Sequence, residues 1–468
     1  MAEAENIANV EMAKISTWAK ANKIQFNERK SKVLLLTRRK RKERRELEIY
    51  LNKRLLTQVP NLKYLGIILD SKLSFKDHII YTAEKCSKLI FALARSAKLN
   101  WGLGCAALKT IYTGAILPLL LYGAPIWVNA IKKASYKQKI IRVQRLINIR
   151  IAKAYRTVSN EALCMITGLT PIDIKIEEVV SLFQITKGRT KEELPFDLDT
   201  RIKHWPHPAF SISLLKERND EDNDLEIFTD GSKTKQGVGA GVAIYTRGTH
   251  TRSLKYRLHD KCTNNQAEQM AILKSLLHVT KEHSPNKTVT IYTDSQTTLN
   301  SLSNSKIHTS IVDKIRRQVD RLEQTAWTIR FSWVRAHVGI QGNELADTLA
   351  KEATTDQDIP ICYDKIPKSV FKSELERNSV EKWQKIWNQT TKGSITKAFF
   401  PRVEERLSMK LYTNQAITTI LTGHRNIEAY LYCFNIIDSP TLDRRCHFKH
   451  VSPKQNWFYH CQMSMAHR

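Results

Sequence analysis

"EIFTDGSKTKQGVGAGVAIY", residues 226–245, decides how this chain is read. Ile227 and Phe228 begin an apolar run that stops at a lone acid, Asp230, followed by glycine. Asp-Gly is a common turn pair, and a turn alone would account for the stretch. The setting asks for more, because lysines and arginines outnumber acids 75 to 46 in this chain. Beyond the acid, "VGAGVAIY" (238–245) reads as a second strand built from small residues.

The pattern continues downstream. "RSLKYRL" (252–258) is a third strand, with Leu254, Tyr256 and Leu258 alternating. A turn containing "CTNNQ" opens a helix, "AEQMAILKSLLHV", which starts at Gln266 or Ala267 and places Glu268 in its first turn. "VTIYTD" (289–294) repeats the opening theme, a strand that ends on a lone acid, Asp294. A short helix precedes a longer one with Ile311, Ile315, Val319 and Leu322 on one face. "WTIRFSWV" is a fifth strand, and the polar loop "RAHVGIQG" leads into a last helix, "NELADTLAKEA", carrying Asp347. The order βββαβαβα suits an α/β fold, a mixed five-stranded sheet with flanking helices.

Strands placed side by side would bring Asp230 and Asp294 to one end of the sheet. Glu268 and Asp347 lie toward the N-terminal sides of helices that return over it. Four converging carboxylates repel one another strongly unless cations neutralise them. Ligation by oxygen alone points to Mg²⁺ or Mn²⁺. Two such ions about 4 Å apart suit in-line hydrolysis of a phosphodiester.

"FTDGS", "NNQAE", "YTDSQ" and "AHVGIQGNELAD" resemble the active-site motifs of the type 1 ribonuclease H family, over roughly residues 224–354. The resemblance implies that Asp230 bridges two metal ions, that Glu268 and Asp294 complete the first site, and that Asp347 completes the second. It also implies that His337 assists proton transfer and product release. Gly231, Ser232, Asn265 and Gln266 resemble the groups that read 2′-hydroxyls across the minor groove of an RNA–DNA hybrid. The Asn264–Asn265 pair has a second role open to it, capping the following helix. The expected reaction is endonucleolytic cutting of the RNA strand of a hybrid, leaving a 3′-hydroxyl and a 5′-phosphate.

The flanks carry their own signals. The net charge of +29 over 468 residues predicts attraction to a polyanion, nucleic acid ahead of anionic membrane. "RRKRKERR" (38–45) suits nucleic-acid phosphates, a nuclear address or a solvated charge run. An amphipathic helix is predicted over 9–22, with Val10, Met12, Ile15 and Trp18 near helical spacing, and "LKYLGIILD" reads as a buried strand. The apolar window "GAILPLLLYGAPIWV" (114–128) is short and broken by Pro118 and Pro125, so it reads as core and not as a membrane span. Scattered cysteines and the lack of a signal-peptide pattern point to an intracellular protein, nuclear or cytoplasmic and not secreted.

"WAKANKIQFNERKSKVLLL" and "NLKYLGIILDSKLSFKDHI" resemble palm segments of non-LTR retrotransposon reverse transcriptases of the arthropod type. "LKTIYTGAILPLLLYGAPIW" and the basic helices after it are similar to their thumb and connection. The family's Tyr-x-Asp-Asp turn occurs nowhere in the sequence, so polymerisation is not expected. The resemblance implies the C-terminal part of such a polyprotein, in four parts. These are a partial palm (1–75), a mostly helical thumb and connection (76–217), the ribonuclease H domain (224–356) and an irregular helical and Cys/His-containing tail (357–468). The acidic stretch 218–226 serves as the linker. In the tail, Cys446, His447, His450, His460 and Cys461 are similar to a zinc-knuckle cluster, although Leu442 stands where the family has a cysteine; an unmetallated tail is favoured over Zn²⁺. The expected partners are an RNA–DNA hybrid, and nucleic acid held by the basic N-terminal helices. The alternative function is a catalytically idle nucleic-acid-binding protein on the same fold, and a third reading is a metal-dependent nuclease or strand transferase acting on DNA.

Overall fold

In the computed structural model the opening strand does not stop at its acid. β1 (Leu225–Lys233) runs on through Asp230 and Gly231, and the chain turns at 234–237, where the Thr234 amide donates to the Gly237 carbonyl. Asp230 therefore sits within the ladder, opposite Gly241 of β2 (Val238–Thr246), and not at a strand end as the sequence suggested. The structure describes residues 2–37, 46–96, 103–188, 198–199, 212–215, 225–282, 287–304, 306–307 and 309–424. The basic cluster 38–45, the acidic residues 218–224 and the Cys/His group of the tail lie outside them.

β3 (Thr249–Leu258) continues the antiparallel meander from β2. On its other side β1 pairs in parallel with β4 (Thr288–Thr293), and β4 in turn with β5 (Thr328–Trp333). The sheet is thus mixed, as expected, and its strand order is β3-β2-β1-β4-β5. A two-residue strand, Leu214–Leu215, extends it in parallel beyond β5 and makes six strands where five were predicted. Two residues are too few to show a strand period, which is why the sequence hides them.

Small residues in β2 have a packing reason. A Cβ on Gly239 would lie 2.3 Å from the Ala350 carbonyl oxygen, and one on Gly241 2.2 Å from that of Ala346. Both acceptors belong to the final helix, Gln341–Thr355, which rides directly on the β2 backbone. Gly231 points to the other face, toward the helix Asn264–Val279. Side chains alternate across a strand, so these two helices cover opposite faces of the sheet. In chain order the helices are α1 (Asn264–Val279), α2 (Gln296–Ser303), α3 (Ser310–Gln324) and α4 (Gln341–Thr355). The predicted apolar face of α3 is realised, with Ile311, Ile315, Val319 and Leu322 all buried.

By its contacts the chain divides into residues 185–374 and residues 1–184 with 375–468. These boundaries differ from the sequence-based ones. Residues 357–367 stay with the sheet, where the Cys362 amide donates to the Arg257 carbonyl and Ile366 pairs with Leu198. Trp383, Trp387, Phe400 and Leu421 instead share a buried core with Ala152, Leu163 and Ile174. A single charged-to-apolar pattern cannot announce which core a tail helix will join.

In the second unit the predicted N-terminal helix forms over Ala2–Ala21, yet Val10, Ile15 and Trp18 remain exposed. "LKYLGIILD" is an antiparallel hairpin and not one buried strand. Asn61–Tyr64 pairs with Ile67–Asp70 around Leu65 and Gly66, whose φ values are 45° and 84°. The apolar window 114–128 is helical core, with Ile116, Leu120, Ala124 and Trp127 buried. Among the described residues no single helix is long and apolar enough to cross a membrane.

Candidate active site

Thr229 of β1 stands opposite Thr293 of β4 in a parallel pair, so the residues that follow, Asp230 and Asp294, emerge at the same end of the sheet. The register is secured by the Thr229 hydroxyl, which donates to the Tyr292 carbonyl at 3.0 Å, and by stacking of Phe228 on Tyr292. The indole N–H of Trp333, at the end of β5, donates to the Asp294 carbonyl at 3.0 Å. α1 supplies the third acid. Carboxylate oxygens of Asp230, Glu268 and Asp294 all lie within 4.8 Å of one another.

α1 begins earlier than the sequence indicated. Its N-cap is Thr263, in a reciprocal capping box with Gln266, so the Asn pair does not cap it and Glu268 falls beyond the first turn. That shift matters for substrate reading too. The Gln266 side chain is buried and used at both ends: its carbonyl accepts from the Thr263 amide at 3.0 Å, and its amide donates to Asp199 and to the Lys365 carbonyl. Gln266 is therefore a framework residue facing the protein interior, in correction of its expected place among the groove-facing groups. Asn265 is exposed, and so is Asn264, whose side-chain nitrogen lies 3.4 Å from Glu268 Oε1. Gly231 and Ser232 continue β1 beside the acids.

The cluster is electrostatically costly as it stands. Asp230 is 7% exposed and its carboxyl is pushed up to about 7, by burial first, then by the charge of Asp294, with Asp347 adding to it. Glu268 is raised in the same direction by burial and by the charges of Asp230 and Asp294. Asp294 is also raised by burial, while the Asn343 side-chain amide and His337 act to lower it. The Glu268 Oε2 atom is buried with no hydrogen-bond partner. Close-set hard oxygens with raised pKa values and one orphaned lone pair are what a divalent cation would satisfy.

Asp347 is close enough to Asp230 to raise it, but it is not one of the three clustered acids. It lies in the second turn of α4, where its Oδ2 accepts from Lys351 at 2.7 Å. His337 occupies an exposed loop with φ 54°, two residues before Gly339 at φ 83°. Asn343 was not singled out from the sequence. It is 3% exposed, and its spacing of four from Asp347 on α4 was the available signal, because such residues share a helix face.

Residues 222–355 match the family described as RNase H. The chain is 33% identical over 149 residues to a retrovirus-related Pol polyprotein from type-1 retrotransposable element R1 4 of Nasonia vitripennis, across 32% of this chain and 37% of that protein. It is 31% identical over 147 residues to a ribonuclease H of Francisella philomiragia, across 29% of this chain and 93% of that enzyme. Among solved structures, RNase H1 of Halobacterium salinarum aligns with 28% of this chain and 96% of its own at 21% identity, with a TM-score of 0.23. The chain thus spans little more than a third of the polyprotein and nearly all of the bacterial enzyme.

Proposed function

We propose, from the premise that this chain belongs to the ribonuclease H family through residues 222–355, that it cuts the RNA strand of RNA–DNA hybrids with divalent metal ions. The observation that carries this reading is the meeting of three acids from three separate segments, Asp230, Glu268 and Asp294, with oxygens within 4.8 Å. Asp230, Glu268 and Asp294 would hold one Mg²⁺ or Mn²⁺, and Asp230 with Asp347 a second. Bound there, the ions would neutralise the carboxylates and supply the Lewis acidity that phosphodiester hydrolysis needs.

The chain's own residues have distinct tasks in this proposal. Lys351 holds the Asp347 carboxylate in place and offsets its charge, at the oxygen that would help to hold the second ion. Asn343 orients Asp294 through its amide. Gly231, Ser232 and Asn265 present backbone and side-chain groups to the 2′-hydroxyls that distinguish RNA. His337, on its exposed loop, takes up or delivers a proton at the scissile phosphate and helps product leave.

The similarity to R1 Pol polyproteins supports reading this domain as part of a retrotransposon protein. We assign residues 1–184 a role in holding primer or template through exposed basic residues such as Arg142 and Arg150 on the helix Ala134–Ala152. Polymerisation is not part of the proposal, because no Tyr-x-Asp-Asp tetrapeptide occurs in the sequence. The test is incubation of the full chain with labelled RNA–DNA, RNA–RNA and DNA–DNA duplexes and Mg²⁺. Cleavage confined to the RNA of the hybrid and abolished by EDTA supports the reading. Intact hybrid with binding retained would leave the idle alternative, and cut DNA would replace both.

A further inference from the structure

A cavity of about 240 Å³ lies within the unit formed by residues 1–184 and 375–468, far in sequence from the acids described above. Its charged lining is entirely cationic: Lys109, Arg406 and Lys410, with no aspartate or glutamate among the lining residues. Arg406 is 4% exposed, and its Nε is buried without a partner. Lys109 is half-buried beside it. Both cation ends stand 3.5 to 3.6 Å from the point where a side chain on Gly168 would begin, and Gly168 has none.

The plain structural account is helix capping. Lys109 donates to the Thr167 carbonyl at 3.1 Å and Arg406 donates to the Ile166 carbonyl, both at the C-terminus of the helix Asn160–Thr167. A helix C-terminus offers the equivalent of about half a negative charge. A buried guanidinium and a half-buried ammonium together exceed that, and the surplus is not met by a carboxylate among the described residues. Burial depresses the Arg406 guanidinium to about 10, and Lys109 is lowered by burial and by Arg406, which marks both as short of counter-charge. Such a pair is stable when an anion completes it.

We propose that this cavity is a phosphate-binding site, and that its occupant is a backbone phosphate of a nucleic-acid single strand. The two terminal nitrogens of Arg406 are held by the Ile166 and Met409 carbonyls, so its unpartnered Nε–H is the group left to donate to a phosphate oxygen, and Lys109 and Lys410 add point charges. Tyr412, 67% exposed at the rim, offers a ring on which the adjoining base stacks. The surplus charge of +29 over the whole chain draws the same kind of ligand.

The experiment uses the full chain without divalent metal, so that the acidic cluster repels nucleic acid. Binding of a labelled single-stranded oligonucleotide is followed by anisotropy, and melting is followed with inorganic phosphate against chloride at equal ionic strength. Arg406 is buried, so its replacement risks misfolding; the exposed rim pair Lys410→Ser with Tyr412→Ala and the half-buried Lys109→Met carry the test instead. The expected result is a saturable melting shift with phosphate, lost in Lys109→Met, and an oligonucleotide affinity about tenfold lower in the rim variant. In a separate assay with Mg²⁺ restored, hybrid cleavage per bound substrate should be unchanged in both. A phosphate shift with oligonucleotide affinity unaltered in every variant would overturn the backbone assignment in favour of free phosphate. No phosphate shift and no change in affinity would overturn the site itself.

Discussion

Gly231 lies so close to Glu268 that a Cβ on the glycine would stand 2.3 Å from the glutamate's amide nitrogen. The bare backbone of β1 lets α1 settle onto the sheet, and that approach brings the Glu268 carboxylate to Asp230. Gly231→Ala should force strand and helix apart. The expected cost is about 1–3 kcal/mol of stability, the range for overpacking a tight interior, with a larger proportional loss of Mg²⁺-dependent cleavage. Urea unfolding and an Mg²⁺ titration of activity check it; a variant matching the parent in both would show that the contact does not set the site.

Asp230→Asn removes the acid that the other two repel. Cleavage of the hybrid should fall below detection while nucleic-acid binding persists, since the amide keeps shape but not charge. The metal-free variant should melt higher than the parent near neutral pH, because a buried repulsive charge is gone. Substantial cleavage by this variant would remove Asp230 from the reaction.

The pH dependence of the metal-free protein has a definite sign. The Asp230 carboxyl is raised on folding from 3.8 to about 7, and Glu268 moves the same way. Groups raised on folding stabilise the native state below their unfolded pKa, and that contribution is lost as pH climbs through the folded value. Stability without metal should therefore decline from about pH 4 through pH 7 as Asp230 ionises, and go on falling above it as Glu268, raised to about 10, ionises in turn. Mg²⁺ competes with protons for the same oxygens, so the melting shift it causes should be larger at about pH 8 than at about pH 5. Calorimetry with and without Mg²⁺ at both pH values decides; an equal shift at both would place the ion elsewhere.

Asn343→Ala should leave Asp294 unheld and its carboxyl further raised. Loss of a partner that orients a ligand costs on the order of 10- to 100-fold in metal affinity or activity. A higher Mg²⁺ requirement with a lower kcat is expected, with Asn343→Asp no better because it adds a fifth negative charge nearby. Kinetics indistinguishable from the parent would make Asn343 a packing residue alone.

Much of the sheet was legible because its strands carry a two-residue period and its helices a 3.6-residue one. Asp230 and Asp294 stood out as lone acids after apolar runs, and α3 showed its buried face as a stripe. What misled was local chemistry with two meanings. Asp-Gly at 230–231 reads as a turn, yet Gly231 serves close packing inside a continuing strand. The Asn pair reads as a cap, yet Thr263 takes that role one residue earlier and draws Gln266 inward.

The linear order of residues determined the identity of the acids, the strand and helix types and the strong positive charge, since each follows from side chains and their short-range spacing. Folding alone decided that Thr229 would face Thr293, that Asp347 would sit outside the tight trio with Lys351 on its oxygen, and that Lys109 would meet Arg406 from nearly 300 positions away. Those are facts of register and long-range packing. A one-residue slip along β1 would turn Asp230 to the opposite face, and no local window of sequence contains the information that forbids it.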